Sequence, residues 1–130
     1  MKRTIPYSQE YFPPAPVLRV SLTVPEETPS LNPDWALVDT GADGTFVPTS
    51  YLEELDVPVA YMTNARSHFG EKLLRVPVHK VDLIFFDALR LPNVEVVGDD
   101  WGDQIIIGRN VLNRLRLLLD GPNQKANLWE

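Results

Sequence analysis

The segment Trp35-Ala-Leu-Val-Asp-Thr-Gly-Ala-Asp-Gly-Thr-Phe-Val47 sets a carboxylate, a hydroxyl and a glycine at the end of an apolar run. Asp39 is therefore an acid at the mouth of a core, and the chemistry open to it is the polarisation of water. That chemistry needs a second carboxylate. Two carboxylates in contact cannot both ionise, so one stays protonated as the acid while the other serves as the base. Gly41 lets the backbone turn and approach a ligand closely, and the Thr40 hydroxyl can hold the loop by hydrogen bonds. Asp-Thr-Gly alone is also compatible with an ordinary turn.

Composition narrows the classes. A chain of 130 residues is one domain that buries roughly two thirds of its unfolded surface. The net charge of -6, with its 12 basic residues dispersed, excludes a nucleic-acid partner, because neutralising phosphates takes clustered Lys and Arg. The absence of cysteine rules out disulfides, a thiol nucleophile and cysteine metal sites. Basic residues at Lys2 and Arg3 are not followed by an apolar stretch, so no secretory signal is expected. No apolar run approaches a membrane span. A cytoplasmic protein without a membrane partner is the expectation.

The elements that must carry Asp39 are short. Residues 1–16 hold four prolines among Tyr7, Tyr11 and Phe12, which predicts an extended or polyproline arm strapped over the core. Residues 17–130 form the domain proper. Val17–Val24 alternates apolar and polar residues as a half-buried strand does, and the proline-rich stretch 25–33 is a loop. After the strand ending at Asp39, Tyr51–Asp56 suits a short helix. Tyr61–Val81 suggests two strands around a polar turn over 65–72, with Gly70 free to take positive φ. Val81–Phe86, a tight bend near Asp87 and Val94–Val97 continue the strands. Gln104–Gly108 is a strand that runs into a helix over Arg109–Leu115, where Val111, Leu112 and Leu115 share a face. Leu117–Asp120 and Ala126–Trp129 form a closing hairpin around Gly121-Pro122. Many short strands with one short C-terminal helix predict a mostly-β fold, a closed or partly closed barrel.

Two strings carry a resemblance. Val38-Asp-Thr-Gly-Ala-Asp-Gly-Thr45 closely resembles the active-site loop of the retropepsin-like (retroviral-type) aspartic proteases. About seventy residues further on, Ile106-Ile-Gly-Arg-Asn-Val-Leu112 resembles that family's second signature, an apolar strand entering Gly-Arg-Asn/Asp and a helix. The likeness spans roughly residues 17–129 and is strong at the two motifs. It implies a barrel of the retropepsin-like acid protease type. It also implies that Asp39 is catalytic, that Thr40 joins its copy across a dimer axis, and that Gly41 and Asp43 bind substrate backbone. Arg109 would pair with Asp43, a half-buried acid, and brace the loop. Bidentate Arg–carboxylate geometry gives that pairing a physical basis.

Asp-Thr-Gly occurs once, so a dyad requires two chains. A two-fold homodimer would set Asp39 against its copy, acting on a peptide or protein substrate without a cofactor or a metal. The family's flap would fall within about 61–78. There Asn64-Ala-Arg-Ser-His-Phe-Gly70 departs from the glycine-rich retroviral tips, with His68 and Phe69 as bulky groups at the tip. Gly44 likewise replaces a polar residue common in viral relatives. His68 and His79 are too few and too far apart for a metal site, and Asp99, Asp100 and Asp103 lack the spacing of a calcium loop. Trp101 and Trp129 are expected to be packing anchors, Trp129 also a dimer contact. An aspartic endopeptidase is the first expectation. A non-catalytic binding or assembly module that keeps the fold is the alternative.

Overall fold

Alternation sets the strand faces. In Asp34–Val38 (β3) the side chains of Ala36 and Val38 are buried while Trp35 is exposed, and in Ile105–Ile107 (β8) Ile105 and Ile107 are buried while Ile106 is only partly so. That period of two puts one face of each strand into the core. The computed structural model describes residues 1–66 and 73–130. Along the chain it holds β1 (Lys2–Pro6), β2 (Val17–Thr23), β3, β4 (Thr45–Pro48), α1 (Thr49–Leu55), β5 (Val59–Arg66) and β6 (Leu73–Phe85). Then come β7 (Leu89–Asp99), β8, α2 (Arg109–Leu112), β9 (Arg116–Asp120) and β10 (Lys125–Trp129).

Seven strands hydrogen-bond in the order β2-β3-β8-β4-β7-β6-β5, and β2 also pairs with β6. That extra pairing closes β2, β3, β8, β4, β7 and β6 into a ring, leaving β5 on the outside. The fold is mostly β, a closed six-stranded barrel with few helices. Leu18, Val20, Val47, Val81, Leu83, Phe85, Val96, Ile105 and Ile107 fill it. Closure removes free strand edges from the ring.

A second sheet, in the order β1-β10-β9, lies outside the ring. Its inward face contributes Ile5, Ala126 and Leu128, all buried. Of the extended arm expected over residues 1–16, only Lys2–Pro6 is a strand, registered against Trp129–Lys125; the proline-dense part after it turns back on itself, with Ser8 bridging Ala15.

Several local expectations change. The helix expected over 109–115 is a single turn, Arg109–Leu112, because Arg116 must leave it to enter β9. α1 ends at Asp56, whose left-handed φ of 56° caps the helix. β5 and β6 run on through Ala65↔Leu74 and Arg66↔Leu73, beyond the start of the expected polar turn. The expectations for His68, Phe69 and Gly70 lie outside the described residues. The bend after β6 is a three-residue turn, Phe86 to Ala88, in which Phe86 and Asp87 take φ of 52° and 57°. A bulky residue there is strained, and Phe86 is held by an edge-to-face contact with Trp35 at 6.2 Å and by the Arg3 guanidinium 4.9 Å above its ring. Trp101 is 96 % exposed and anchors nothing within the chain. The Asp99 carboxylate accepts the amides of Trp101 and Gly102 instead, both at 3.0 Å, and this tight turn carries the indole outward. Trp129 is half-buried under the Arg116 guanidinium, 6.0 Å from its ring.

Candidate active site

Asp39 follows β3, and its backbone amide donates to the Ile107 carbonyl of the parallel neighbour β8 at 2.9 Å. Val38 pairs with Ile107 in register. The loop carrying the acid therefore leaves the barrel beside the residue at which β8 ends. Within the loop, the Ala42 amide donates to the Asp39 carbonyl at 3.2 Å, and the Gly41 amide donates to Asp39 Oδ1 at 2.9 Å. An amide aimed at a carboxylate oxygen fixes the side chain's rotamer. A Cβ on Gly41 would stand 3.2 Å from that same oxygen, so glycine here permits the close approach. No glycine of the described chain takes positive φ; the service of Gly41 is room, not turn geometry.

The Gly108-Arg109-Asn110 segment closes on this loop along its whole length. The Arg109 amide donates to the Ala42 carbonyl at 2.8 Å and the Asn110 amide to the Asp43 carbonyl at 3.2 Å. The Arg109 guanidinium donates to the Thr40 carbonyl at 2.9 Å through Nη1 and to the Asp43 carboxylate through Nη2. One cation thus spans both sides of the Asp39 loop. Thr40 enters this network through its carbonyl oxygen, and its position on the loop is exposed. Asp43 was expected to be half-buried, but its side chain is 91 % exposed. The outer side of the loop faces solvent in a single chain. An ion pair so placed adds little by charge alone; its worth lies in the two-point geometry of the guanidinium.

Three supports lie within the two quoted strings but were given no role there. Gly108 packs so tightly against the loop that a Cβ there would come within 1.9 Å of the Gly44 carbonyl oxygen and 2.9 Å of that of Ala42. Only glycine fits. Thr45 is fully buried, accepts the Gly108 amide at 3.1 Å and donates its hydroxyl to Asn110 Oδ1 at 2.8 Å. Asn110 Nδ2 then donates to the Glu95 carbonyl of β7 at 2.9 Å. The signal for Thr45 was a polar residue opening an apolar strand, and for Asn110 its place beside Arg109. Their contact with each other showed only once the fold brought them together.

The structure thus gathers Asp39, Thr40, Gly41, Asp43 and Arg109 into one braced loop. His79, on β6, is buried, with Nδ1 3.1 Å from the Val57 carbonyl oxygen, a packing role away from the loop.

Known proteins are similar to this chain in family and in fold. Residues 29–111, which include both the Asp39 loop and the Gly108-Arg109-Asn110 segment, match the aspartyl protease family. A retropepsin-like aspartic protease from Rickettsia conorii superposes with a TM-score of 0.67 at 12% identity, over 98% of this chain and 90% of that one. EIAV protease in complex with the inhibitor HBY-793 gives a TM-score of 0.48 at 18% identity, over 85% of this chain and 93% of its own. The retroviral protease-like domain of Ddi1 from Leishmania major gives 0.48 at 19% identity, covering 82% and 83%. No curated protein sequence matches the chain. The family match spans most of the barrel, and the chain belongs to the aspartyl protease family, with the retropepsin-like fold.

Proposed function

We propose that the protein is a homodimeric aspartic endopeptidase in which Asp39 of each chain supplies one half of a shared dyad. The observation that carries this reading is the loop itself. A carboxylate held by the Gly41 amide stands at the end of a buried strand, on a loop clamped from behind by Arg109. Asp-Thr-Gly occurs once, so the second carboxylate comes from a two-fold partner. Water held between Asp39 and the partner's Asp39 attacks the peptide carbonyl. One carboxylate takes a proton from the water, the other protonates the carbonyl oxygen, and the C–N bond then breaks as the amine is protonated.

In this reading Asp39 is the catalytic residue, Thr40 and Arg109 support the loop, and Gly41 and Asp43 meet the substrate backbone. The antiparallel pair β5 and β6 covers the substrate. Its Val59, Tyr61, Met62, Leu73 and Leu74 are exposed in the single chain and are shared between the two faces of the ribbon, so either face offers a peptide apolar contacts. No helix among the described residues is long and apolar enough to cross a membrane, and a cytoplasmic setting agrees with the acidic, cysteine-free composition.

Asp39→Asn tests the mechanism. Cleavage of a peptide library should fall by about three orders of magnitude or more, and the wild-type pH–rate profile should show two coupled limbs that belong to the pair. Full cleavage by the Asn variant would refute the dyad. One observation favours the rival reading, a non-catalytic binding or assembly module. The terminal sheet is completed within one chain by β1 on β10, so the fold needs no partner to pair those strands. A statine-type transition-state mimic separates the two, because its tight binding requires an assembled dyad.

A further inference from the structure

The loop between β2 and β3 and the helix α1 border a cleft of about 300 Å³, the low end of the volumes that hold small ligands. It lies away from the Asp39 loop. Asp34 opens β3 and Asp39 follows its end, so at about 3.3 Å per residue the two stand roughly 16 Å apart. Leu31 and Pro33 give the cleft apolar wall, while Asp34, Glu54 and Tyr51 give it polar lining. Beside it a recess of about 10 Å³ reaches the buried side chains of Val20, Leu22 and Ile105.

The acids of this lining are set in place and lack a cation. The Tyr51 hydroxyl donates to Asp34 Oδ2, and the Trp35 amide donates to Asp34 Oδ1 at 2.8 Å. A carboxylate has about four lone-pair sites, so Asp34 is fixed and still open to further donors. Neither Asp34 nor Glu54 belongs to an ion pair among the described residues. The Tyr51 hydroxyl is pushed up to about 12, first by its bond to Asp34, then by burial, then by the charges of Asp34, Asp103 and Glu54. All three of those charges are negative.

Fixed acids beside an apolar wall complement one side chain above others. Arginine lays its methylene stem along apolar surface and keeps its charged head at the polar edge. Its planar fork gives directed bonds to carboxylates, which the point charge of lysine does not. We infer that this cleft is a second binding site, taking the guanidinium of an arginine on a basic peptide segment, with Asp34 and Glu54 as its acceptors. The site does not depend on the catalytic role of Asp39. In an endopeptidase it would select proteins by a basic segment well away from the cleaved bond.

The probe is a capped Gly-Arg-Gly peptide titrated into the full chain and followed by amide NMR shifts. Saturable shifts should centre on Asn32, Asp34, Tyr51 and Glu54, and a capped Gly-Gln-Gly peptide should not produce them. Glu54→Gln and Asp34→Asn should each weaken binding by about three-fold or more, as should raised salt. Glu53→Gln, exposed on α1 but outside the cleft, should bind as the wild type does, and so should Asp39→Asn. Equal binding of the Gln peptide, unchanged binding by both cleft variants, or shifts centred on the Asp39 loop would each overturn this site and leave the dyad untouched. Spermidine binding more tightly than the Arg peptide would assign the cleft to a free polyamine and overturn the peptide reading.

Discussion

At the residue scale the site depends on a close approach that glycine alone allows. Gly108→Ala would drive a methyl group into the Gly44 carbonyl, which would stand 1.9 Å away, and backbone on both sides resists the shift. Overpacking of this kind should cost about 2 kcal/mol or more of stability, seen as a lowered denaturant midpoint, and should displace the Asp39 loop so that residual cleavage falls further than stability does. An Ala variant with wild-type stability and activity would show that the two segments do not press on each other. The Asp39 loop and its Arg109 partner were legible in the sequence because each sits in a short string with few alternatives. Gly108 itself was quoted there, but its contact with Gly44 was not legible. It joins residues 64 positions apart, just before β4 and just after β8, an approach that no periodicity reports. The burial of Asp43 was misjudged for a related reason. Sequence shows that an acid has a cation to pair with, not which side of the loop meets solvent.

At the element scale the barrel is held by pairings of distant segments. Asp82, 1 % exposed on β6, accepts the amides of Glu26 and Asn93, both at 2.9 Å, and the Arg90 guanidinium. Arg90 also donates to the Glu27 carbonyl at 2.7 Å, so one carboxylate ties the loop after β2 to the β6–β7 pair. Burial by itself raises the Asp82 pKa, but those two amides and Arg90 outweigh it and hold the carboxyl below the usual carboxylate range. A depressed folded pKa contributes stability that is present above the unfolded value, about 3.9, and is lost as pH falls through the folded value. Wild-type stability should therefore drop on acidification below about pH 4. Asp82→Ala should be less stable by about 2–3 kcal/mol at neutral pH and should show a flatter acid limb in pH-dependent melting. Equal acid slopes in the two proteins would remove Asp82 from this role. The strands themselves were legible as alternation, from Val17 to the closing hairpin. The parallel β3–β8 pairing and the β1–β10 pairing were not, since both are non-local and their registers lie in tertiary contacts. Trp101 failed as an anchor because Asp99 caps its own turn.

At the scale of the whole molecule, one chain completes its barrel and its terminal sheet but carries a single Asp-Thr-Gly loop. Fold and catalysis are thereby separable. In the proposed reading the dyad that holds water forms only when two chains meet. The family was legible in the sequence from two strings, while the pairing of the two termini, β1 on β10, was not. The most direct measurement mixes wild-type and Asp39→Asn chains, lets the subunits exchange, and follows peptide cleavage as the wild-type fraction falls. A shared dyad predicts activity that declines with the square of that fraction, since only dimers with two intact chains are competent. A linear decline, or cleavage unaffected by the Asn chains, would contradict it.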